Sequence, residues 1–319
     1  MQEDKGSPGL ARLPKVPDAR LDALFRIGEQ IWAEREDVRA RCQTVKSWDF
    51  WKWLLWHGTE EYVDVRNLYA FPDDHLIHRV IGHTSSRREY LQGGVVDATQ
   101  IRLRLIEAGF DFDRGGCVLD FGCGSGRILQ VLARHADTCM LYGADVDKGA
   151  IYWCDAQLKF ARAVLLPQQP PCAFSDGRFD AVYAFSVFSH LPEDRHRLWL
   201  EELHRITKPG AALVLTIQGR KVIAEYVSGR RPGDFPPAEV LRHDLPDIER
   251  SGVRFYPYKR LRFQDKRNQR EFDTWDLESY GSMFILEPYV RKRWLNLFEF
   301  VALHEAPNEW QDYVLLRRR

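Results

Sequence analysis

The chain has 319 residues, 45% of them hydrophobic and 13% aromatic, enough apolar surface to fill a substantial core. Lys plus Arg and Asp plus Glu both number 46, so no global field draws the chain to a polyanion, which speaks against nucleic acid or an anionic membrane as partner. Six cysteines (Cys42, Cys117, Cys123, Cys139, Cys154, Cys172) form no CxxC pair, which argues against a zinc site or a disulfide framework and for a reducing, cytoplasmic setting.

Residues 1–17 read as a disordered lead, dominated by Gly, Pro and charge, with no apolar stretch of the kind a signal peptide carries. Nowhere are there 18 consecutive apolar residues, so no membrane span is expected. From Leu21 the spacing Leu21, Leu24, Phe25, Ile27, Ile31, Trp32 is helical, and it opens a helical N-terminal cap over 18–98. Inside the cap, SWDFWKWLLWHG crowds Trp48, Trp51, Trp53 and Trp56 together. Either Trp48, Trp51, Leu55 and Trp56 form one buried helix face, or the indoles form a lid that stacks on an acceptor. The segment before Gly109 ends in a helix with apolar positions at Ile101, Leu103, Leu105 and Ile106.

After Gly116 the period changes, and short apolar runs alternate with helical ones: CVLDFG, RILQVLARHA, MLYGADV, GAIYWCDAQL, FDAVYAFSV, RLWLEELHRI, AALVLTI. Strands buried on both faces and joined by helices predict a parallel sheet with right-handed crossovers, the core over 99–219. Four prolines then open an insertion over 220–283, with a helix at Ala238–Arg250 and strands in VRFYPYKRLRF and EFDTWDLESYGSMFI. In the closing part, 284–319, LEPYVRKRWL predicts a helix, and LFEFVALHEA and QDYVLLRRR an antiparallel hairpin across a PNEW turn. The basic clusters at 259–262, 291–293 and 317–319 are short and interrupted, the pattern of solvated faces.

The stretch VLDFGCGSGRILQ carries the chemistry. A dinucleotide loop has glycines spaced GxGxxG, with the third letting the helix pack close. Here Gly122 and Gly124 are followed by Gly126, and Arg127 stands where that third glycine belongs. The spacing DxGxGxG from Asp120 instead resembles the class I S-adenosylmethionine-dependent methyltransferases, and the resemblance extends over 99–219. It implies an α/β fold: a doubly wound, Rossmann-like seven-stranded sheet with a C-terminal antiparallel hairpin, here with the helical cap and an insertion after the fifth strand. S-adenosyl-L-methionine is the implied cofactor, with Asp120 facing its ammonium, where a carboxylate suits a cation and would repel a pyrophosphate. Gly122, Cys123, Gly124, Ser125 and Gly126 would form the loop around it, Asp145 and Val146 would sit at the ribose, and Phe185 and Ser186 near the methionine end. Lys208-Pro209-Gly210 would be a structural turn. The acid or amide that many members use on adenine is missing, leaving backbone groups and apolar packing near Leu165 and Leu166 for that base.

His190 follows the fourth strand and precedes Pro192 at a helix start, on the rim of the expected crevice, as a base for an acceptor hydroxyl or as a pocket-shaping residue. His243, Tyr280 and Trp275 are weaker acceptor-side candidates, and His304 reads as structural. No metal site is expected. The motifs HRVIG, YLQGG, SVFSHLPE and QDYVLL are similar to those of bacterial methyltransferases of glycan and natural-product assembly. They imply transfer to a hydroxyl, with an amine as second choice, of a sugar or glycosylated small molecule. The alternatives are an NAD(P)-dependent oxidoreductase and a catalytically silent binding module on the same fold.

Overall fold

The computed structural model describes residues 18–81, 86–230, 236–258, 279–307 and 310–319. Expectations for the lead 1–17, for Gly82 of HRVIG, for Trp275, for the basic cluster 259–262 and for most of the strand text between 259 and 278 lie outside them.

Among the described residues nine strands run in chain order: β1 Gly116–Phe121, β2 Cys139–Asp145, β3 Ala161–Leu165, β4 Phe179–Ala184, β5 Thr207–Ile217, β6 Val253–Pro257, β7 Gly281–Ile285, β8 Phe298–His304 and β9 Asp312–Arg318. Seven form one sheet in the order β3-β2-β1-β4-β5-β9-β8, and β6 pairs with β7 in a small second sheet. β1 is parallel to β2 and β4, whereas β9 lies antiparallel between β5 and β8. The expected doubly wound sheet with its closing hairpin is what the chain forms. Chain order reverses between β1 and β4, the place where an open α/β sheet leaves a crevice at its strand ends.

Alternation along the strands explains why these runs read as continuously apolar. Val118, Leu141, Ala181, Val214 and Leu315 enter one core with the N-terminal helices, while Leu119, Tyr142, Val182, Leu215 and Leu316 enter a second core on the opposite face. Successive strand residues point to opposite sides, so a sheet covered on both faces leaves no position for a polar alternate.

Three local expectations change. The tryptophan segment is an α-helix Trp48–Trp53 running into a π-helical turn Leu54–Gly58. Trp51 and Leu55 are buried as expected, but they share their face with Phe50 and Leu54, while Trp48 and Trp56 are only half-buried. Trp51 donates its indole N–H to the Val131 carbonyl (2.7 Å), behind the glycine loop, and none of the four indoles reaches the cleft described below, so the lid reading falls. The helix Arg87–Glu107 buries Ile101 and Leu105, but Leu103 and Ile106 are 46% and 43% exposed. The Lys208-Pro209-Gly210 turn is absorbed into β5 at a register irregularity, with Gly210 at φ +79° and Lys208 paired with Asp180 (2.7 Å).

Among the described residues the insertion forms the helices Arg220–Val227 and Ala238–Ser251 and then β6, which ends at Pro257. An isolated bridge from Gln218 to Phe284 ties β7 to the end of β5.

Candidate functional site

The glycine loop leaves β1 at Phe121 and turns back to open the helix Arg127–Leu132. Its glycines have φ of +80° (Gly122), +51° (Gly124) and +70° (Gly126). Two of these positions reject a side chain for different reasons. A Cβ at Gly126 would meet the Leu158 side chain at 2.5 Å, because the loop packs tightly on the C-terminal end of the helix Lys148–Gln157. At Gly124 a Cβ meets only Val80, at 3.5 Å, so left-handed backbone and access to the cleft set that choice.

Two carboxylates frame the loop. Asp145 closes β2 and accepts from Gly124 N (2.7 Å) and Asp147 N (2.8 Å), so it fixes the loop as well as facing the cleft. Burial raises its pKa, and these backbone donors partly offset the shift. Asp120, 2% exposed, is raised to about 8. Burial is the main cause, the Tyr183 hydroxyl and Arg127 pull it down, and the Asp145 charge pushes it up. A carboxyl held this high lacks a cationic partner. Arg127 does not serve as one, because its guanidinium is committed to Asp97 (2.6 Å) in a pair whose side chains are 9% and 10% exposed.

Asp120, Gly122, Cys123, Gly124, Ser125, Asp145, Val146, Phe185, Ser186 and His190 all line one cleft of about 1160 Å³. Of the loop residues expected at the cofactor, Gly126 alone stays off the wall, in its helix-start role. Tyr280 lines the cleft, whereas His243 is largely exposed on the insertion helix, bonded to Asp244 (3.0 Å), and does not. His304 bonds Glu107 (2.9 Å) on the far hairpin, in keeping with a structural role. Leu166 is on the wall; Leu165 is 46% exposed and is not. Gln168, Gln169 and Trp199 lie there too, so two amide side chains just after β3 reach the wall. Arg79 of the helix Asp74–Ile81 pairs with Asp147 at the cleft, so the cap forms part of the wall.

The loop after β4 carries the second cluster. Ser186 has φ +60°, unusual for a residue with a Cβ, and donates its backbone N–H to Thr216 Oγ1 (2.8 Å). His190 Nδ1 lies 2.8 Å from the Gly281 carbonyl, and its Nε2 lies 3.1 Å from Ser186 Oγ. The Tyr280 ring stacks on the imidazole at 5.1 Å. Burial lowers the pKa of His190, and the Gly281 bond offsets part of that shift, so the ring is neutral near pH 7. Gln311, just before β9, donates to Ser186 Oγ (2.7 Å) and accepts from Thr216. Sequence reasoning missed Gln311 and Thr216; the QDYVLL motif was a cue, but only the β5–β9 pairing brings the two residues together.

Residues 119–215 match the family described as a methyltransferase domain. Over 107 residues the chain is 31% identical to a tRNA (carboxymethyluridine(34)-5-O)-methyltransferase of Arabidopsis thaliana, covering 32% of this chain and 24% of that protein. It is 28% identical over 133 residues to the O-methyltransferase resE of Aspergillus sclerotiorum, covering 37% and 46%. The chain thus spans less than half the length of these curated relatives. Among solved structures it is similar to a Burkholderia thailandensis 1,6-didemethyltoxoflavin-N1-methyltransferase holding S-adenosylhomocysteine, at 15% identity and TM-score 0.41, over 78% of this chain and 91% of that one.

S-adenosylmethionine is the cofactor of such a domain, and the cleft fits it. The glycine loop is flanked by two carboxylates, and the Arg127 guanidinium beside them is already neutralised by Asp97. Carboxyl groups at these positions suit an ammonium and a ribose, and nothing favours the dinucleotide alternative.

Proposed function

We propose that the protein is an S-adenosylmethionine-dependent methyltransferase that methylates a hydroxyl of a small molecule, with a sugar or glycosylated compound as the acceptor class. The observation that carries the oxygen preference is His190, a neutral imidazole on the cleft wall whose Nε2 is oriented as a proton acceptor. An amine loses its proton readily after methylation, whereas a hydroxyl gains from a positioned base, worth roughly 10²- to 10⁴-fold. Both relatives named above are O-methyltransferases by name, which supports the same choice.

In this reading Asp120 holds the methionine ammonium, Asp145 the ribose hydroxyls, and Leu166 with Gln168 and Gln169 the adenine edge. S-adenosylmethionine supplies an activated methyl group, so the chain's contribution is alignment, exclusion of water and removal of the acceptor proton. The cleft of about 1160 Å³ exceeds the 300–1,000 Å³ typical of small-molecule sites, which leaves room for an acceptor beside the cofactor. Tyr280 provides an aromatic face on the His190 side for a sugar ring.

One relative acts on tRNA by name, so RNA is the competing acceptor. Equal counts of 46 cationic and 46 anionic residues give the chain no excess positive field to gather a polyanion, and this favours the small molecule. The test supplies S-adenosylmethionine with a labelled methyl group to the full-length protein in a lysate, then separates small molecules, RNA and protein. O-linked label in a small molecule is expected. Label confined to RNA, or to nitrogen, overturns the reading.

A further inference from the structure

We propose that Ser186 is a proton relay between the acceptor hydroxyl and His190, held in a single donor direction by Gln311 and Thr216. The proposal rests on the methyltransferase reading for the identity of the acceptor; the dyad itself is argued from geometry alone.

The direction of each hydrogen bond follows from one fixed end. The Gly281 carbonyl can only accept, so at 2.8 Å it requires the proton of the neutral ring to sit on Nδ1. Tyr258 Oη, 3.3 Å from the same nitrogen, is then a second, longer acceptor for that proton. Nε2 is left without a proton, and the Ser186 hydroxyl at 3.1 Å must donate to it. Ser186 Oγ in turn accepts from Gln311 Nε2 (2.7 Å). Gln311 presents its amide nitrogen there because its oxygen accepts from the Thr216 hydroxyl. Thr216 directs its proton to Gln311, the nearer acceptor, rather than to the Ala184 carbonyl at 3.4 Å, and its oxygen receives the Ser186 backbone N–H (2.8 Å). The chain therefore closes on Ser186 itself, from its N–H through Thr216 and Gln311 back to its own hydroxyl.

This circuit explains two features that a purely structural loop does not require. Ser186 sits at φ +60°, a strained conformation for a serine, and that is the conformation in which its N–H meets Thr216. Gln311 and Thr216 are 8% and 0% exposed polar groups spent on one hydroxyl at the cleft wall. Ser189 Oγ, at 3.5 Å, stands at the limit of hydrogen-bond reach and is a weak competitor for the remaining lone pair of Ser186. An acceptor hydroxyl entering from the cleft meets that lone pair.

In the transfer, the acceptor oxygen forms its bond to the methyl carbon as the carbon–sulfur bond breaks, and the sulfur keeps the bonding pair. The acceptor's proton passes to Ser186 Oγ while the Ser186 proton passes to His190 Nε2. The positive charge lost from the sulfonium reappears on the imidazolium. Ser186 is the catalytic residue of this step, and Gln311 and Thr216 are positioning residues.

Two measurements test the relay without a known acceptor. In full-length protein labelled with ¹⁵N-histidine, and with His190 assigned by the His190→Asn variant, long-range ¹H–¹⁵N spectra report the tautomer. A protonated Nδ1 and an unprotonated, hydrogen-bonded Nε2 are expected, and Ser186→Ala should move the Nε2 resonance toward its unbonded position. A proton on Nε2, or no shift in Ser186→Ala, overturns the proposal.

The second probe is phenylmethylsulfonyl fluoride, read by peptide mass spectrometry. Ser186 Oγ should form the sulfonate ester as fluoride leaves and the proton goes to His190. Labelling should fall at least tenfold in His190→Asn, Gln311→Leu and Thr216→Val, and return in Thr216→Ser. Absence of Ser186 labelling, or equal labelling in His190→Asn, sinks the relay. Calorimetry with S-adenosylhomocysteine on the same samples keeps the two readings apart: lost affinity in wild type refutes the methyltransferase reading, and intact affinity without labelling refutes only the relay.

Discussion

The raised pKa of Asp120 makes cofactor affinity a function of pH. Its carboxyl is held near 8 against an ordinary 3.8, chiefly by burial. At pH 7 only about one molecule in ten carries the anion that a methionine ammonium would pair with. Binding must therefore expel a proton, and affinity should rise about tenfold for each pH unit between 5.5 and 7.5. Calorimetric titration with S-adenosylhomocysteine at pH 5.5, 6.5 and 7.5 measures this, and buffers of different ionisation heat should report close to one proton released. Asp120→Asn should bind weakly at every pH, near the wild-type value at pH 5.5.

Stability of the ligand-free protein should move the opposite way. The native carboxyl retains a proton that the unfolded chain sheds above pH 3.8, so this group's contribution declines as pH rises from about 4 to 8, by up to about 1.4 kcal/mol per unit. Asp312, raised by burial to about 7, contributes in the same sense, so the melting curve alone is not specific to Asp120. An affinity that is flat from pH 5.5 to 7.5, with no proton release, would refute the assignment of Asp120 to the cofactor ammonium.

Three further outcomes follow from particular contacts. Asp145→Ala removes a carboxylate that bonds Gly124 and Asp147, and charged hydrogen bonds of roughly 1.5–3 kcal/mol imply a 10- to 100-fold loss in S-adenosylhomocysteine affinity; an unchanged dissociation constant contradicts the site. Asp97→Asn leaves Arg127 buried without its counter-ion and should cost about 3–5 kcal/mol in denaturant unfolding, whereas the double variant Asp97→Leu/Arg127→Met should recover most of it. Trp51→Ala opens a hole where an indole is 2% exposed and should destabilise by about 3–5 kcal/mol while leaving cofactor affinity in place; a selective loss of affinity would reinstate the tryptophans as a lid.

The glycine-loop wall of the cleft was legible in the sequence because its parts are local. Asp120, Gly122, Gly124 and Gly126 lie within seven positions, and left-handed backbone leaves a glycine signature that needs no tertiary information. Asp145 was legible for a related reason, since a strand buried on both faces keeps polar residues to its ends. The tryptophan segment misled because Phe50 and Leu54 are as apolar as Trp48 and Trp56, so composition alone does not say which side of the helix faces the core. His243 misled because an imidazole beside a carboxylate on an amphipathic helix reads the same whether it faces a pocket or solvent.

The wall around His190 depends on contacts between residues far apart in the chain. Gly281 follows the insertion and fixes the His190 tautomer across 91 positions, while Gln311 reaches Ser186 across 125. Neither glycine nor glutamine is a catalytic residue type, and each acts through a backbone carbonyl or an amide whose partner is set by the backbone bonds of β7 to Ser189 and His190 and by the pairing of β5 with β9. Because Gly281 begins β7, any displacement of the insertion's small sheet moves the carbonyl that holds the Nδ1 proton, and with it the direction of the Ser186 hydroxyl.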